Sequence, residues 1–373
     1  MNYSNGTNTS YKRREDYKTR LPDLLQHYIT WLSGAPYENQ RPLYISNSIL
    51  ELLKTLFVLL LGISLCGASV IYEYSGWLMT YAIGTILITS AARNSVTTLA
   101  HHSSHLRVFV SKRANILLTE FITTIFISPS YTQYVISHNK GHHIFSTFAT
   151  TRDDDATYIK NLKLTKSRTR IELWERLIWL FISPVFHLRS IKDRISLNLF
   201  HTSGIRQVAS FSWIFTLIYL SFTGWAVEIS LIYFIPVLIL FNICHLLQVL
   251  SEHLWFIGGE QGKERNDKAC WGRFLLPILP NKDAGLDEWL FWTTKIALAN
   301  IVRITVLPGD LQQHDYHHKA GPRSDWTNSR YKRYEANIEE ESYQHFWSLS
   351  AAIDYVFSYQ VKRTLNHNKY IEV

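Results

Sequence analysis

The chain has few cysteines and lacks the short motifs that bind common redox cofactors. Its 373 residues include three cysteines, Cys66, Cys244 and Cys270, which form no CxxC pair. This spacing argues against a disulfide framework, a zinc knuckle and an iron–sulfur centre held by thiolates. A haem-binding HPGG segment and a flavin-binding glycine fingerprint are also missing from the sequence. Any redox chemistry would therefore need an external electron donor.

Charged residues are missing from four long segments. Each uncharged run is near or above the roughly 18 residues that mark a membrane-spanning helix. The runs are 55–72, 74–92, 207–227 and 229–251. A soluble protein with buried core helices is the alternative, but such helices are usually shorter and interrupted by polar faces. The segments 116–128 and 177–186 are too short to span, and 289–307 carries two basic residues, so these three are predicted to lie in the membrane interface.

Basic residues are missing from two short connections between the predicted spans. If the spans pair as two hairpins, the connections 73–77 and 226–228 contain no Lys or Arg, and all 38 basic residues lie at or beyond the opposite ends. The positive-inside rule makes that basic side the cytoplasm, with both termini inside. The sequence predicts an all-α, multi-pass integral membrane protein with about four transmembrane helices, interfacial helices and a cytoplasmic histidine-rich cap.

Three regions follow from this topology. Residues 1–48 are predicted to be a polar cytoplasmic arm, 49–318 the membrane domain and 319–373 a cytoplasmic tail. The first residues are polar and basic, so no cleavable signal peptide is expected. The net charge of +8 is interpreted as affinity for a membrane surface, and no nucleic-acid partner is expected.

Histidine is concentrated in three short clusters. Nine of the 16 histidines lie within 101–105, 138–143 and 314–318. Neutral imidazole is the commonest ligand for transition metals, and a spacing of three or four residues brings two rings to one helical face. His101 with His105, or His138 with His142, could supply half of one coordination sphere. The three clusters together supply about eight nitrogens, enough for two ions, which favours a redox pair of metals over a single zinc.

Alternatives of other classes remain open from the residues alone. A zinc-dependent membrane hydrolase would be expected to have an HExxH glutamate as general base, but the first cluster, with Ser103 at its centre, contains no glutamate. A non-catalytic metal-binding or transport protein would be expected to have ionisable residues inside its spans, whereas charges here stop at the span ends. An enzyme with a polynuclear metal site is the favoured interpretation.

The motifs HxxxH, HxxxHH and HxxHH, in this order between paired hydrophobic spans, resemble the histidine boxes of the membrane di-iron superfamily of fatty acid desaturases and alkane hydroxylases. The sequences HNKGHH at 138–143 and GDLQQHDYHH at 309–318 look like the hydroxylase forms of these boxes. The first box, HHSSH, lacks the HExxH form of many alkane hydroxylases. Four predicted spans also fit the desaturase plan better than a six-span hydroxylase. The resemblance covers about 55–318 and favours a lipid desaturase, with acyl or alkyl hydroxylation as the alternative.

The resemblance implies a set of metal ligands in this chain. Eight box histidines would bind two irons, and His253, in the sequence Ser251-Glu252-His253-Leu254, looks like the additional histidine of the hydroxylases. Three neighbours, His102, Glu252 and Asp315, are expected to surround the ligands and orient them without binding metal. The eight box histidines are His101, His105, His138, His142, His143, His314, His317 and His318.

The resemblance also implies a reaction and partners. Dioxygen would be activated at the two irons to oxidise an unactivated methylene of a lipid or fatty acyl chain, giving an alkene or an alcohol. The protein would then supply a narrow apolar tunnel. The basic cytoplasmic face would suit a small acidic electron donor of the ferredoxin, rubredoxin or cytochrome type.

Overall fold

The structure is a computed structural model, and it describes residues 7–72, 75–202, 204–258, 261–321, 324–340 and 343–369. Helices dominate it. The first ten α-helices are α1 (Thr7–Arg20), α2 (Asp23–Ser33), α3 (Ser48–Ile71), α4 (Trp77–Asn94), α5 (His101–Ser104), α6 (Lys112–Ile125), α7 (Tyr131–Tyr134), α8 (Asp154–Asn161), α9 (Arg170–Ile182) and α10 (Pro184–Leu199). The others are α11 (Gly204–Leu220), α12 (Ala226–Ile229), α13 (Phe241–Glu252), α14 (Gly262–Ala269), α15 (Leu286–Thr305), α16 (His314–Ala320), α17 (Ser329–Glu340) and α18 (Leu349–Lys369).

Shorter elements interrupt or extend these helices. Two strands, β1 (Gly272–Arg273) and β2 (His345–Phe346), form a parallel pair. The 3₁₀ turns are Leu311–Gln313 and Trp326–Asn328, and the π-helical segments are Ser95–Ala100, Val135–His142, Ser221–Trp225 and Ser230–Leu240.

The chain divides into two compact units, and each is described by itself. The hairpin unit comprises Ser48–Ile144 and Ile171–Gln248. The terminal unit comprises Met1–Asn47, Phe145–Arg170 and Val249–Val373.

In the hairpin unit, α3 and α4 form an antiparallel pair that touches at two glycines. A Cβ atom added to Gly84 would lie 2.7 Å from the Sγ atom of Cys66, and one added to Gly62 would lie 2.9 Å from the backbone nitrogen of Ile88. Close approach of this kind requires residues without side chains, as at many helix contacts in membranes. The two glycines therefore allow the backbones of α3 and α4 to pack directly.

The second long apolar segment, Gly204–Glu252, also folds back on itself. Gly224 adopts φ 104°, a left-handed conformation that favours glycine. The indole nitrogen of Trp213 donates to the hydroxyl of Tyr233 at 3.2 Å. These residues are 20 positions apart and would be about 30 Å apart along one straight helix. Their contact shows that the segment is a helical hairpin with its turn near Gly224.

Polar side chains of α4 bind carbonyl groups of the returning arm of this second hairpin. Tyr81 donates to the carbonyl of Leu231 at 3.3 Å, and Thr89 donates to that of Pro236 at 3.3 Å. Pro236 and the surrounding π-helical segment disturb the regular helical hydrogen bonds, and apolar surroundings make unpaired carbonyls costly. The partner of Thr89 follows the partner of Tyr81 in the sequence, as Thr89 follows Tyr81 in α4. The two segments therefore run parallel here.

The terminal unit packs α1, α2 and α15 together through two arginines. Buried Arg14 of α1 donates to the side chains of Gln26 and Thr30 in α2 at 2.7 and 3.0 Å. Arg303 of α15 donates to the carbonyl of Trp31 at 3.0 Å, and its guanidinium lies 5.4 Å from that ring. The opposite face of α15 exposes Leu286, Leu290, Phe291, Leu298 and Ile301.

The helical prediction is confirmed, whereas the membrane topology is confirmed only at a coarser level. Among the described residues, two helical segments, Ser48–Ile71 and Gly204–Glu252, are long and apolar enough to cross a membrane. The predicted interfacial segments fall in α6, in α9 with the start of α10, and in α15. The four-span topology, the cytoplasmic cap and the interfacial positions stay predictions.

Candidate metal centre

Four histidines of the hairpin unit bring their ring nitrogens together. One ring nitrogen from each of His101, His105, His138 and His143 lies within 4.8 Å of the others. We call this set the four-histidine cluster. His101 and His105 come from the first box and His138 and His143 from the second, so the cluster joins two segments that are separate in sequence.

The π-helix over Val135–His142 decides which histidines of the second box meet. The backbone N–H of His143 donates to the carbonyl of His138 at 3.0 Å, the i to i+5 bond of a π-turn. The Nε2 atoms of these two residues lie 3.0 Å apart. His142 instead stacks on His138 with ring centroids 5.4 Å apart. The α-helical spacing of the sequence predicts a pair of His138 with His142, whereas the structure groups His138 with His143.

The distance between the two Nε2 atoms fits shared coordination of one ion. Two nitrogens bound at about 2.1 Å lie about 3.0 Å apart at a right angle and about 3.4 Å apart at a tetrahedral angle. Burial lowers the pKa of His143 well below its usual value, and the neighbouring rings of His142, His105 and His102 lower this pKa further. His143 is therefore neutral near pH 7, with a lone pair available for a metal.

Polar contacts fix the geometry around this cluster. The Nδ1 atom of His101 lies 3.4 Å from the hydroxyl of Tyr134, the last residue of α7. Ser104 donates to the side-chain oxygen of Asn139 at 3.3 Å, and the amide of Asn139 donates back to the carbonyl of Ser104 at 3.1 Å. The paired Ser104 and Asn139 therefore hold the first box against the second.

Three histidines of the terminal unit form a second group. One ring nitrogen from each of His253, His314 and His318 lies within 4.8 Å of the others. We call this set the three-histidine cluster. The Nε2 atoms of His314 and His318 are again 3.0 Å apart. His253 follows the end of α13 and the other two lie in α16, so the structure brings the additional histidine of the sequence analysis to the third box.

Carboxylates and arginines surround the three-histidine cluster. An oxygen of Glu252 lies 3.2 Å from Nε2 of His314 and accepts from buried Arg273 at 3.2 Å. Asp315 accepts hydrogen bonds from Nε of Arg333 at 2.9 and 3.0 Å and from Nη2 of Arg333 at 2.6 Å. These pairs hold the end of α13 and the start of α16 in place. Glu252 and Asp315 were among the sequence-predicted neighbours of the ligands, whereas their arginine partners were not found from the sequence.

A buried cysteine contacts the remaining ring of this cluster. The Sγ atom of Cys270 lies 3.4 Å from Nδ1 of His253 and 3.6 Å from the side-chain oxygen of Asn266. Burial raises the pKa of the Cys270 thiol well above its usual value, so the thiol is protonated near neutral pH. No sequence pattern indicates this contact, because the cysteine lies 17 residues away from the histidine.

The other sequence-predicted site residues lie beside the two clusters. His142 is buried, and His317 is buried in α16 with its ring centroid 5.6 Å from that of His314. His102 is buried with its ring centroid 4.7 Å from that of His101. The assignment of these residues to ligand or supporting roles stays a prediction.

The comparison with known families agrees with the histidine clusters. The family model for fatty acid desaturases matches residues 75–279, more than half of the chain. The chain belongs to the fatty acid desaturase family. No curated protein and no solved structure is significantly similar to it. The region matched to the desaturase family contains the first two boxes and His253, and the third box follows it.

The family match confirms the predicted family resemblance, and the histidine geometry fits a metal site. Membership in the desaturase family and the two apolar helical segments indicate association with a membrane. The two histidine clusters fit the metal site of a lipid oxidoreductase. Both clusters offer imidazole nitrogen as the principal donor, which is consistent with iron.

Proposed function

We propose that this desaturase-family protein is a membrane-bound, dioxygen-dependent di-iron oxidoreductase that desaturates a lipid acyl chain. The observation that supports the proposal best is the presence of two imidazole clusters, each with a pair of Nε2 atoms 3.0 Å apart, in a member of this family. Each cluster would hold one iron ion. Two bound irons would supply the activation of dioxygen that oxidation of an unactivated methylene requires.

The chain's own residues would orient the ligands. Arg273 holds the Glu252 carboxylate 3.2 Å from Nε2 of His314, beside the nitrogen that would bind metal. Tyr134 contacts Nδ1 of His101 and would orient that ring. Such partners fix the direction of an imidazole and its tautomer, and their loss typically costs 10- to 100-fold in metal affinity or activity. A rigid ligand set keeps the metal in position while the substrate binds.

Aromatic residues would keep water from the three-histidine cluster. The ring centroid of buried Phe148 lies 4.8 Å from that of His253 and 5.0 Å from that of His318. The ring centroid of buried Trp255 lies 5.2 Å from that of His253. Exclusion of water protects reactive oxidants from side reactions and strengthens electrostatic interactions in the site. An apolar acyl chain is the kind of substrate that such surroundings accept.

Hydroxylation of an acyl or alkyl chain is the second candidate. Its support is His253, which follows Glu252 as in the hydroxylase element and lies with His314 and His318 in one cluster. The same nine histidines would serve either reaction. Loss of two hydrogens gives an alkene, whereas loss of one followed by transfer of oxygen gives an alcohol.

The proposal includes partners and location. Four spans in two hairpins would place both termini and the histidine clusters on the cytoplasmic side. Electrons would come from a small acidic protein of the ferredoxin, rubredoxin or cytochrome type. Within the hairpin unit, exposed Arg107, Lys112, Arg113 and Lys140 lie on or next to the first two boxes and offer a basic surface for it.

Lipid analysis of expressing cells tests the reaction. Cells supplied with a perdeuterated saturated fatty acid should produce an alkene lacking two deuterium atoms, and cells that express His143→Ala should not. An alcohol that carries oxygen from ¹⁸O₂, without the alkene, would make the protein a hydroxylase. Full activity of a zinc-loaded, iron-free protein would reject the di-iron proposal.

A further inference from the structure

We propose that Cys270 is a positioning residue that sets the tautomer of His253 and directs its Nε2 atom to the metal. This inference rests on the proposed function only in that the three-histidine cluster must bind a metal ion. The juxtaposition that supports it is a chain of three buried side chains, in which Asn266, Cys270 and His253 follow one another at 3.6 and 3.4 Å.

The direction of the hydrogen bonds follows from what each group can donate. The side-chain oxygen of Asn266 can only accept, so the single proton of the Cys270 thiol is donated to it. The sulfur then has only acceptor capacity for His253. Nδ1 of His253 must therefore carry the ring proton, and Nε2 carries the lone pair.

The backbone holds this arrangement in register. Residues His253 and Cys270 form an isolated antiparallel bridge, and the N–H of Leu254 donates to the carbonyl of Ala269 at 3.0 Å. The N–H of Cys270 donates to the carbonyl of Asn266 at 3.1 Å, at the end of α14. The segments that contain His253 and Cys270 are thus hydrogen-bonded to each other, and this contact places the sulfur at the Nδ1 edge of the His253 ring.

The thiol acts from outside the cluster and is not a ligand itself. Because Nδ1 and Nε2 lie on different edges of the imidazole, a sulfur at Nδ1 leaves Nε2 directed at His314 and His318, whose ring centroids are 5.4 and 4.7 Å away. Metal-bound histidines usually donate their other ring N–H to a carboxylate, a carbonyl or water. In this chain a thiol takes that place.

Metal affinity measured on the full-length protein tests the role of Cys270. Metal-free protein in nanodiscs would be titrated anaerobically with Fe²⁺ against a chromophoric chelator, to give one affinity for each cluster. Cys270→Ala should weaken one of the two sites by about 10- to 100-fold, whereas Cys270→Ser, which keeps a donor and an acceptor at nearly the same volume as Ala, should weaken it by less than about tenfold. Asn266→Leu should also weaken this site, because the thiol proton can then be donated to Nδ1.

Two controls separate positioning from a general effect on folding. The four-histidine cluster includes neither Cys270 nor His253, so its Fe²⁺ affinity should stay unchanged in every variant and serves as an internal reference. Cys66→Ala removes an equally buried thiol from α3 and should leave both affinities unchanged. Equal weakening of both sites in Cys270→Ala, or equal effects of Ala and Ser, would overturn the proposal.

The outcomes also distinguish this inference from the proposed function. Absence of any oxidised lipid, with normal Fe²⁺ binding and the expected Cys270 effect, would reject the reaction and leave the positioning role intact. Wild-type affinities in Cys270→Ala would reject the positioning role and leave the reaction intact. A wild-type protein that binds no metal would overturn both.

Discussion

His138 and His143 face each other across one π-helical turn, with their Nε2 atoms 3.0 Å apart. In a regular α-helix, residues five apart point in directions about 140° apart and cannot share an ion. The wider π-turn brings residues i and i+5 to one side, as the backbone bond from His143 to His138 shows. Such π-helical turns occur frequently at functional sites because they change the direction of a few side chains without ending the helix.

The first prediction concerns this pair. Changing His143 to Ala should remove at least one of about two irons per chain and abolish activity, because the four-histidine cluster loses a ligand that the remaining three cannot replace. Iron per chain is measured by elemental analysis of the purified protein. The matched control is His201→Ala, since His201 is exposed and outside both clusters. An unchanged iron content in His143→Ala would contradict the assignment of this cluster.

The sequence predicted the helical class and all seven histidines that form the two clusters. Long uncharged runs indicate helices in apolar surroundings, whether or not the helices cross a membrane. The spacing of histidines indicates which of them share one face of a regular helix. His101 and His105 follow that rule, with their ring centroids 5.1 Å apart. The sequence pattern was sufficient here because the local backbone is α-helical.

What the sequence could not predict depends on irregular backbone or on distant contacts. The pairing of His138 with His143 follows from a π-helix, which single-sequence periodicity does not indicate. Cys270 reaches His253 through a bridge between segments, and Arg333 reaches Asp315 from another helix. Such partners are determined by tertiary packing, so residue type alone gives no spacing by which to find them.

The second prediction concerns the contact between α3 and α4. Gly84→Ala should lower the free energy of unfolding by about 1–3 kcal/mol, because the added Cβ would lie 2.7 Å from Sγ and 2.9 Å from the backbone nitrogen of Cys66. Gly67→Ala is the matched control in α3, since its added Cβ meets no atom within 4 Å. Unfolding of both variants in nanodiscs is the measurement. Equal stability of the two variants would show that α3 and α4 do not pack through Gly84.

The third prediction concerns the buried ion pair next to the third box. Arg333→Met keeps much of the apolar bulk but leaves the Asp315 carboxylate without its hydrogen bonds from the guanidinium group. An uncompensated buried charge typically costs about 3–5 kcal/mol of unfolding free energy. The exposed pair Lys268–Glu264 is the control, and Lys268→Ala should cost at most about 0.5 kcal/mol. The double variant Asp315→Leu, Arg333→Met should recover part of the loss, and a greater loss than in Arg333→Met alone would contradict this account.

The fourth prediction concerns the pH dependence of stability. Burial and, to a smaller extent, the charges of Arg333 and Arg13 lower the pKa of His345 to about 3, against an opposing contribution from the backbone of Tyr343. In the unfolded chain the pKa of a histidine is about 6.5. The folded protein therefore binds fewer protons than the unfolded chain between about pH 3 and 6.5, and stability that is present above pH 6.5 is lost as the pH falls through this window.

Replacement of His345 by Phe removes this titration. The loss of unfolding free energy between pH 7.5 and pH 5 should become smaller than in the wild type by up to about 2 kcal/mol. Unfolding at the two pH values measures the difference, and exposed His201→Phe serves as the control. A pH dependence identical to that of the wild type would show that His345 is protonated equally in the folded and unfolded chains.

The last prediction concerns membrane topology. Both turns of the two hairpins lack Lys and Arg, so the positive-inside rule places them outside and the ends of the hairpins in the cytoplasm. Exposed Ser75 and Thr223 lie at the two turns, and exposed Lys112 begins α6 after the first box. The native cysteines are all buried, which gives a low background for thiol labelling.

In intact cells, a membrane-impermeant maleimide should label Ser75→Cys and Thr223→Cys, whereas Lys112→Cys should react only after permeabilisation. Labelling of Lys112→Cys together with Ser75→Cys in intact cells would reject the first hairpin as a pair of spans, and failure of Thr223→Cys alone would reject the second.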